Sequence, residues 1–354
     1  MAGFKDGKFQ VESVKHIHWY EISQQGRSAV ERADKVWVPA TLFMPDGARG
    51  KVPAMVIAHG IGGAYDVNGG KRVYWEYAEE LAKNGVAAVI VDTHGARGLG
   101  KTSQEGSTAI SVHTFLADAF AVADLLRSHP GIDARRIGIM GFSKGGSTTL
   151  LAEDERFVRA LSRDGQAFRL HIPVYPGCQA YPESVRPTGA PVLMLLGSND
   201  LATGIRGCFE IEQKLKRAGV PVRTIVFEGA YHGWDEDIRP IPFDDVSTED
   251  CRYVLKDGGG IAGGRPDGPL LDTAAKGTDY WKRCTKRVTT FVGRDDGAYR
   301  DGKRAVLDMV KATFAEPAQI PQNTQAGATP AATLEEQLER IRREQEAEAA
   351  NAAK

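Results

Sequence analysis

The sequence predicts an α/β protein with a mostly parallel central sheet and helices on both faces. Short apolar runs alternate with helical patterns through the middle of the chain, which is typical of strand–helix–strand units. The runs are continuously apolar rather than alternating, as expected for strands whose two faces are both buried. The chain has 354 residues, 42% hydrophobic and 26% charged, which is enough for one large domain of this kind.

The predicted elements follow one another in the order that this architecture requires. Segment 36–43 predicts antiparallel edge strands that lead into the sheet. Pro173 argues against a central place for the strand predicted at 170–175, because proline cannot donate a ladder hydrogen bond. The buried strands are predicted at 53–58, 87–92, 136–142, 170–175, 191–196 and 222–227, and the helices at about 73–83, 108–128, 146–152, 204–217 and 305–314.

The C-terminal part of the chain predicts three further segments. Residues 236–300 contain two glycine-rich runs and little periodicity, which predicts a long, partly irregular insertion that could serve as a lid beside a site. The insertion belongs to a predicted domain of residues 1–315. Residues 316–332 are rich in Pro, Gln, Ala and Thr, as in a solvated linker. A capping box at Thr333–Glu336 predicts a polar helix in 333–354, or else a flexible, disordered tail.

Charge and hydropathy argue against several kinds of partner. Lys and Arg number 45 and Asp and Glu number 46, so the net charge is −1 and no basic footprint for nucleic acid or an anionic membrane is expected. The sequence lacks a run of about 18 apolar residues, so no transmembrane helix is predicted. The first residues lack the apolar core of a signal peptide, which predicts a cytoplasmic protein, or an exported one whose signal was removed. No pattern indicates an oligomer.

The cysteine content argues against a scaffold built from disulfides or zinc. Four cysteines are too few for a disulfide-built fold, and no CxxC or Cys/His cluster occurs. We therefore expect neither a metal nor a cofactor. In an exported protein the four could pair in three ways, and the sequence does not choose among them: Cys178, Cys208, Cys251 and Cys284.

The candidate nucleophile is Ser143, in the motif Gly141-Phe-Ser143-Lys-Gly145. This is a G-x-S-x-G pattern between a predicted strand and a predicted helix, where a serine hydroxyl projects from the sheet end and glycines let the backbone turn sharply. The helix that begins there directs backbone N–H groups at developing negative charge. The alternative is a glycine-rich loop with an incidental serine.

A serine nucleophile needs a base, and the base needs an orienting acid. Asp200 and His232 each follow a predicted buried strand, 57 residues after Ser143 and then 32 residues further on. The order Ser, acid, His along the chain is that of α/β-hydrolases, and the three side chains would meet at one edge of the sheet. Separately, Asp200 could be a turn acid and His232 a surface histidine. Asp235 and Asp237 are too close in sequence to His232 to approach it from a neighbouring strand.

The tetrahedral intermediate needs hydrogen-bond donors for its oxyanion. One is the N–H of Lys144, which follows the nucleophile, and the other is the Ile61 N–H in the glycine-rich loop after strand 53–58. A dinucleotide-binding loop is disfavoured, because Gly60-Ile-Gly62-Gly63 does not complete G-x-G-x-x-G.

Four further residues are candidate substrate contacts, each with a structural alternative. Arg97 lies at a strand end, where it could bind an anionic group or pair with an acid. Tyr231 and Trp234 flank the histidine and could line a pocket or pack in the core. His59 could line the site or act as polar scaffolding, as could His94.

These motifs together resemble the dienelactone hydrolase family, over about residues 36–235 and again at 303–314. The resemblance implies an α/β-hydrolase fold and a hydrolase of carboxylic esters or lactones that works without a cofactor. Arg97 matches one of two arginines that clamp a substrate carboxylate in the founding enzymes. The motifs that carry the resemblance are His59–Gly63, Val91–Gly98, Arg136–Gly146, Gly197–Asp200 and Ala230–Gly233.

Two departures favour a broader carboxylesterase over an enzyme for dienelactone itself. The founding enzymes use a cysteine nucleophile held by a glutamate, whereas Ser143 stands here and the oxyanion loop has no glutamate. Their second arginine, four residues after the histidine, is Glu236 in this chain. We expect a small-molecule ester or lactone as substrate and an acyl-enzyme as intermediate. Peptidase or acyltransferase work on the same triad, and a non-catalytic binding protein of the same fold, are the alternatives.

Overall fold

A central sheet of eight strands organises the chain, in a computed structural model that describes residues 7–65, 69–70, 72–99 and 110–315. The strand order is β1-β2-β4-β3-β5-β6-β8-β9. β2 is antiparallel to both β1 and β4, and the remaining neighbours are parallel. The predicted architecture and its antiparallel edge are confirmed. The strands are β1 Lys8–Val14, β2 Lys35–Phe43, β3 Val52–Ala58, β4 Ala87–Val91, β5 Ile132–Phe142, β6 His171–Val174, β8 Val192–Gly197 and β9 Val222–Phe227.

Helices cover the sheet and belong with it to one compact unit that ends at Phe314. The apolar sides of the third and the last helix join the core cluster over one face of β3, β4 and β5. Their bounds are α1 Trp19–Gln25, α2 Arg27–Arg32, α3 Val73–Lys83, α4 Val112–Arg127, α5 Lys144–Leu151, α6 Glu155–Leu161, α7 Arg206–Arg217, α8 Ala274–Cys284 and α9 Asp296–Phe314, with a 3₁₀ turn at Gly95–Arg97. The predicted segments 316–332 and 333–354 lie outside the described residues.

Helix α9 begins at Asp296, nine residues before the start that the apolar pattern predicts. Its first turns contain Gly297 and Gly302, which are poor helix formers. Gly302 has a packing reason, since a Cβ there would lie 2.6 Å from Cη2 of the buried Trp234. Tertiary contact therefore extends the helix beyond its sequence signal.

Strand β6 is central although it contains Pro173. The strand pairs with β5 through four residues, but with β8 only at His171 and Val174. The N–H groups on either side of the proline still bond to β8, from His171 to Pro191 at 3.0 Å and from Tyr175 to Leu195 at 2.7 Å. The sheet thus accommodates the proline by omitting one ladder bond.

The insertion 236–300 is more regular than the sequence predicts. It contains β10 Ile241–Ser247, paired with β13 Lys286–Val292, and β11 Tyr253–Leu255, which lies between β12 Ile261–Gly263 and β7 Ala180–Pro182. The strands β11 and β12 have only three residues each, which leaves little periodicity to detect there. The long insertion is confirmed, and pairing with distant strands gives it more regular structure than the sequence indicates.

Two disulfides tie this part of the fold together. Cys178 is bonded to Cys208, and Cys251 to Cys284, so all four cysteines are paired. The first joins the segment after β6 to α7, and the second joins the insertion's β11 region to α8. Of the three possible pairings, the structure contains the one that links the residues before β7 and before β11, two strands of the small sheet, to neighbouring helices. Within the described residues, no helix is long and apolar enough to cross a membrane.

Candidate active site

Ser143 occupies a tight turn between β5 and α5. Its φ is +52°, in a region that disfavours side chains, and its N–H donates to the Val174 carbonyl at 2.9 Å. The flanking glycines are sterically required. A Cβ at Gly141 would overlap the carbonyl of Gly145, and one at Gly145 would overlap that of Ala58. The turn therefore holds the hydroxyl at the carboxyl edge of the sheet.

The structure brings the three predicted side chains into one hydrogen-bonded chain. The distance from His232 Nε2 to Ser143 Oγ is 2.9 Å, and that from His232 Nδ1 to Asp200 Oδ2 is 2.7 Å. Asp200 lies just after β8, His232 after β9 and Ser143 directly after β5. Because all three strands are parallel, their carboxyl ends meet at one edge, as the sequence predicts.

Asp200 is anchored by donors that the sequence analysis does not identify. Its carboxylate accepts hydrogen bonds from Thr203 N at 3.0 Å, from Thr203 Oγ1 at 2.8 Å and from Ala202 N at 3.2 Å. These bonds arise from a local turn after β8, in which an Asp followed three residues later by a Thr is the only sequence signal.

Segments tied by the disulfides support this acid loop in turn. Gln179, next to Cys178, donates through Nε2 to the Thr203 carbonyl at 2.9 Å and to Thr248 Oγ1 at 2.8 Å. The Thr248 N–H donates to the Ala202 carbonyl at 2.8 Å. The insertion therefore contacts the loop that carries Asp200.

The electrostatics of the pair favour an ionised acid beside a basic imidazole. Burial disfavours the Asp200 charge, but His232 and the Thr203 donors outweigh it and hold the carboxyl pKa below its usual value. Burial likewise opposes a charge on His232, yet Asp200 outweighs it and raises the imidazole pKa. Asp200 is 2% exposed and His232 17%, so Nε2 can reach both the hydroxyl and a substrate.

The predicted oxyanion loop lies against the nucleophile. A Cβ at Gly60 would be 3.4 Å from Ser143 Cβ, and Ile61 follows directly in the turn after β3. The Gly60 N–H donates to Tyr74 Oη at 3.1 Å, so α3 helps to hold the loop. Lys144 follows Ser143 as the first residue of α5. The loop and the helix start thus lie on either side of the nucleophile, and the two-donor oxyanion hole stays a prediction.

His59 and the Lys144 side chain both lie against the Phe115 ring, beside this loop. His59 is fully buried, and its Nδ1 is 2.7 Å from the Gly60 carbonyl oxygen. Its ring contacts those of His94 and Phe115. Lys144 Nζ lies 5.4 Å from the Phe115 ring centroid, and burial lowers its pKa to about 8. His59 therefore serves as scaffolding of the oxyanion loop, the second of its two predicted roles.

Arg97 does not reach the site. Its Nη1 and Nη2 donate to both Asp118 carboxylate oxygens at 2.8 and 3.0 Å, and the Arg97 side chain is 3% exposed. The other N–H groups bond to backbone carbonyls of Val14, Lys15 and Thr93. Every N–H group of the Arg97 guanidinium is therefore engaged inside the fold. The substrate contact proposed for Arg97 is wrong, and its alternative, an ion pair with an acid, is what the structure shows.

We expect Arg97→Met to destabilise the fold by about 3–5 kcal/mol, because it leaves the Asp118 carboxylate buried and unpaired. Chemical denaturation would measure this loss. The double variant Arg97→Met/Asp118→Leu should recover much of it, since removing both charges also removes the desolvation penalty. Turnover per active site of neutral and anionic esters should stay at the wild-type ratio. A selective loss on anionic esters would instead return Arg97 to the substrate site.

The two aromatic candidates divide between core and site rim. Trp234 is fully buried and packs edge-on against Phe227, with ring centroids 4.8 Å apart, so its core alternative is the one observed. Tyr231 is partly exposed, and its ring lies 4.9 Å from that of Phe291 on β13. Of the two, only Tyr231 has surface that a substrate could touch.

An arginine that the sequence analysis misses stands beside the oxyanion loop. Arg72 Nη2 is 2.6 Å from Glu236 Oε1, and Nη1 would meet a Cβ placed on Gly62. Glu236 occupies the position at which the founding enzymes carry their second arginine. Here it neutralises Arg72 and bridges the oxyanion loop to the histidine loop. Among the described residues, no cluster of three or more His, Cys, Asp or Glu side chains could hold a metal ion.

A serine at a strand–helix turn, with an acid and a histidine after later parallel strands, defines an α/β-hydrolase. Residues 38–254 match the model of the dienelactone hydrolase family. The chain therefore belongs to the dienelactone hydrolase family, and it is a carboxylic ester hydrolase.

The individual relatives described next have low sequence identity to this chain. A Bradyrhizobium sp protein named "Probable 2-oxo-3-(5-oxofuran-2-ylidene)propanoate lactonase" is 26% identical over 233 residues, which cover 63% of this chain and 86% of that protein. Among solved structures, a dienelactone hydrolase-like promiscuous phosphotriesterase from metagenomic libraries is 14% identical, with a TM-score of 0.50 over 86% of this chain and 97% of that one. Esterase 2 of Thermogutta terrifontis is 19% identical, with a TM-score of 0.44 over 57% and 80%.

Proposed function

We propose that this hydrolase cleaves its ester or lactone through an acyl-enzyme formed on Ser143. The observation that carries the proposal is the hydrogen-bonded chain from Asp200 through His232 to Ser143, with contacts of 2.7 and 2.9 Å. Both are within the range that proton transfer and imidazole orientation require.

The catalytic cycle follows from this arrangement. Ser143 Oγ attacks the ester carbonyl while its proton moves to His232 Nε2, and the carbonyl oxygen takes up the negative charge. The N–H groups of Ile61 and Lys144 stabilise that oxyanion. His232 then returns the proton to the leaving alkoxide, and Asp200 holds the imidazole tautomer throughout. Water, deprotonated by His232, attacks the acyl-enzyme, and the acid is released as His232 returns the proton to Ser143 Oγ.

The substrate class that fits these surroundings is an ester or lactone that does not depend on an arginine clamp. Arg97 pairs with Asp118 and Arg72 with Glu236, so neither is free to bind a substrate carboxylate. The Bradyrhizobium relative carries a lactonase name, and ring-opening of a lactone uses the same steps. We therefore propose a carboxylesterase that also opens lactones.

Covalent labelling tests the nucleophile directly. A fluorophosphonate should attach to Ser143, located by peptide mass spectrometry, and labelling should abolish turnover of p-nitrophenyl acetate. Ser147→Ala is a matched control, because Ser147 lies one helical turn further on and its hydroxyl donates to the Gly177 carbonyl at 2.6 Å. The control should label and turn over normally. Folded enzyme that remains unlabelled at Ser143 would support a non-catalytic binding protein instead.

A substrate panel separates the remaining hydrolase classes. Short-chain p-nitrophenyl esters and aliphatic lactones should be hydrolysed, and peptide p-nitroanilides should not. Adding a competing alcohol should give mainly acid product. Faster peptide cleavage, or transfer of the acyl group to the alcohol as the main reaction, would establish the peptidase or the acyltransferase alternative.

We further propose that the enzyme works in an oxidising compartment, which favours export over the cytoplasmic location that the sequence predicts. Disulfides persist outside the reducing cytosol, and all four cysteines pair here. Intact mass of the protein isolated from its source, after alkylation without reductant, should show no modified thiol. Four alkylated cysteines would place the protein in a reducing compartment.

A further inference from the structure

Tyr175 directly follows β6 and has an unusual backbone. Its φ is +34°, and among the described residues the only other non-glycine residue with positive φ is Ser143. Such conformations cost free energy and persist where the surrounding structure enforces them, often at functional sites. Tyr175 is 3% exposed, and its N–H is held by the Leu195 carbonyl at 2.7 Å.

The strained backbone places the Tyr175 ring against the imidazole of His232. The two ring centroids are 5.0 Å apart, with the planes inclined at 64°. On its other sides the ring contacts Trp234 at 5.7 Å and Phe142 at 6.0 Å. The tyrosine is thus wedged between the strand that carries the nucleophile and the loop that carries the base.

A buried acid fixes this ring from behind. Tyr175 Oη donates to Asp235 Oδ1 at 2.6 Å, and Asp235 is completely buried. Burial raises the pKa of the Asp235 carboxyl to about 7, in surroundings that also include Tyr77 and Glu236. A buried carboxyl is costly unless it is hydrogen-bonded, and the Tyr175 hydroxyl supplies such a bond. The cycle described above makes no use of Asp235, which here holds the ring that faces His232.

We propose that Tyr175, anchored by Asp235, is a positioning residue that fixes the imidazole of His232 and stabilises its protonated form through the aromatic ring. The inference depends on the proposed function, because the imidazolium forms when Nε2 takes the proton of Ser143 and disappears when that proton passes to the leaving alkoxide. Tyr175 exchanges no proton in this step. The face of an aromatic ring within about 6 Å attracts a cation more strongly than a neutral ring, and the centroid separation of 5.0 Å lies within that range.

The charged groups that face His232 come from three elements. They are Asp200 after β8, Asp245 on β10 and Asp235 in the histidine's own loop. All three carboxylates favour the imidazolium. Tyr175 faces the ring from the position after β6 and is itself uncharged, but its hydroxyl lowers the pKa of the Asp235 carboxyl through their hydrogen bond. Tyr175→Phe removes this hydrogen bond alone, whereas Tyr175→Leu removes the hydrogen bond and the ring, so the difference between the two variants reports the ring contact.

The test compares Tyr175→Leu and Tyr175→Phe, with Tyr181→Phe as a control at a buried tyrosine on β7. Active sites are first titrated with a fluorophosphonate, so that kcat refers to folded enzyme. For Tyr175→Leu we expect kcat about tenfold lower with KM within about twofold, since the imidazolium loses its support. The acid limb of kcat/KM, which reports the free enzyme's base, should move to lower pH by about half to one unit.

Tyr175→Phe keeps the ring and loses only its anchor, so it should move the acid limb in the same direction by less. It also covers the case in which the leucine variant does not fold. Acid limbs and kcat at the wild-type values in the variants that fold would overturn the inference, as would a rise in KM with an unmoved limb. Failure of the proposed function is distinguishable, because it appears as absent Ser143 labelling in the wild-type enzyme before any variant is assayed.

Discussion

Replacing Ser143 with alanine is expected to lower kcat for p-nitrophenyl acetate by about four to six orders of magnitude. The reason is that the hydroxyl 2.9 Å from His232 Nε2 is the nucleophile on which the acyl-enzyme of the proposed cycle forms. The residual rate should come from the oxyanion donors acting on direct water attack. Steady-state kinetics on protein of verified fold would measure the loss.

The control for this experiment is Ser147→Ala, which removes a hydroxyl one turn along the same helix. Its kcat should stay within about twofold of wild type, because Ser147 bonds only to backbone carbonyls. Circular dichroism should show the same fold in all three proteins. A Ser143→Ala variant that keeps a tenth or more of wild-type turnover would refute the assignment of Ser143 as nucleophile.

Asp200→Asn is expected to lower kcat by about four orders of magnitude with little change in KM. An amide can present its NH₂ group to Nδ1, which would place the imidazole proton on Nε2 and leave no lone pair for the serine proton. The pH profile should also move. Asp200 raises the pKa of His232, and the active base is the neutral imidazole, so losing the carboxylate should shift the acid limb to lower pH.

Thr203→Val is a useful companion, because it removes one of the donors to Asp200 and keeps the carboxylate. The Thr203 hydroxyl is 2.8 Å from Asp200 Oδ2, the oxygen that also faces His232. Its loss should cost far less than that of the carboxylate. If Asp200→Asn retained more activity than Thr203→Val, the orienting acid would have to be another residue.

The sequence predicts the fold well because the pattern that forms a buried parallel sheet is local. Helix α3 has the bounds that its apolar spacing predicts, and β9 also matches its apolar run. The three polar residues at strand ends could be found for the same reason, since parallel topology alone brings strand ends together. Their distances could not be predicted, because they depend on the turn at Ser143 and on the anchors of Asp200.

The errors have a common physical origin. Whether Arg97 faces a substrate or Asp118 is decided by partners 21 residues or more away, and the sequence around it does not differ between the two cases. The position of Trp234 is likewise decided by a distant residue, because its ring packs against Gly302. Tyr175 gave no signal at all, because its positive φ follows from packing rather than from residue type.

The bonds from Gln179 and Thr248 to the acid loop have a consequence for how such enzymes can be diversified. Exchanging residues 236–300 between homologues would also replace Thr248, whose hydrogen bonds support the loop that carries Asp200. A chimera that keeps its catalytic rate must therefore retain Thr248, the residues it bonds to and both disulfides together. Residues 236–300 should therefore tolerate sequence change better at positions that do not contact the loop of Asp200 than at Thr248.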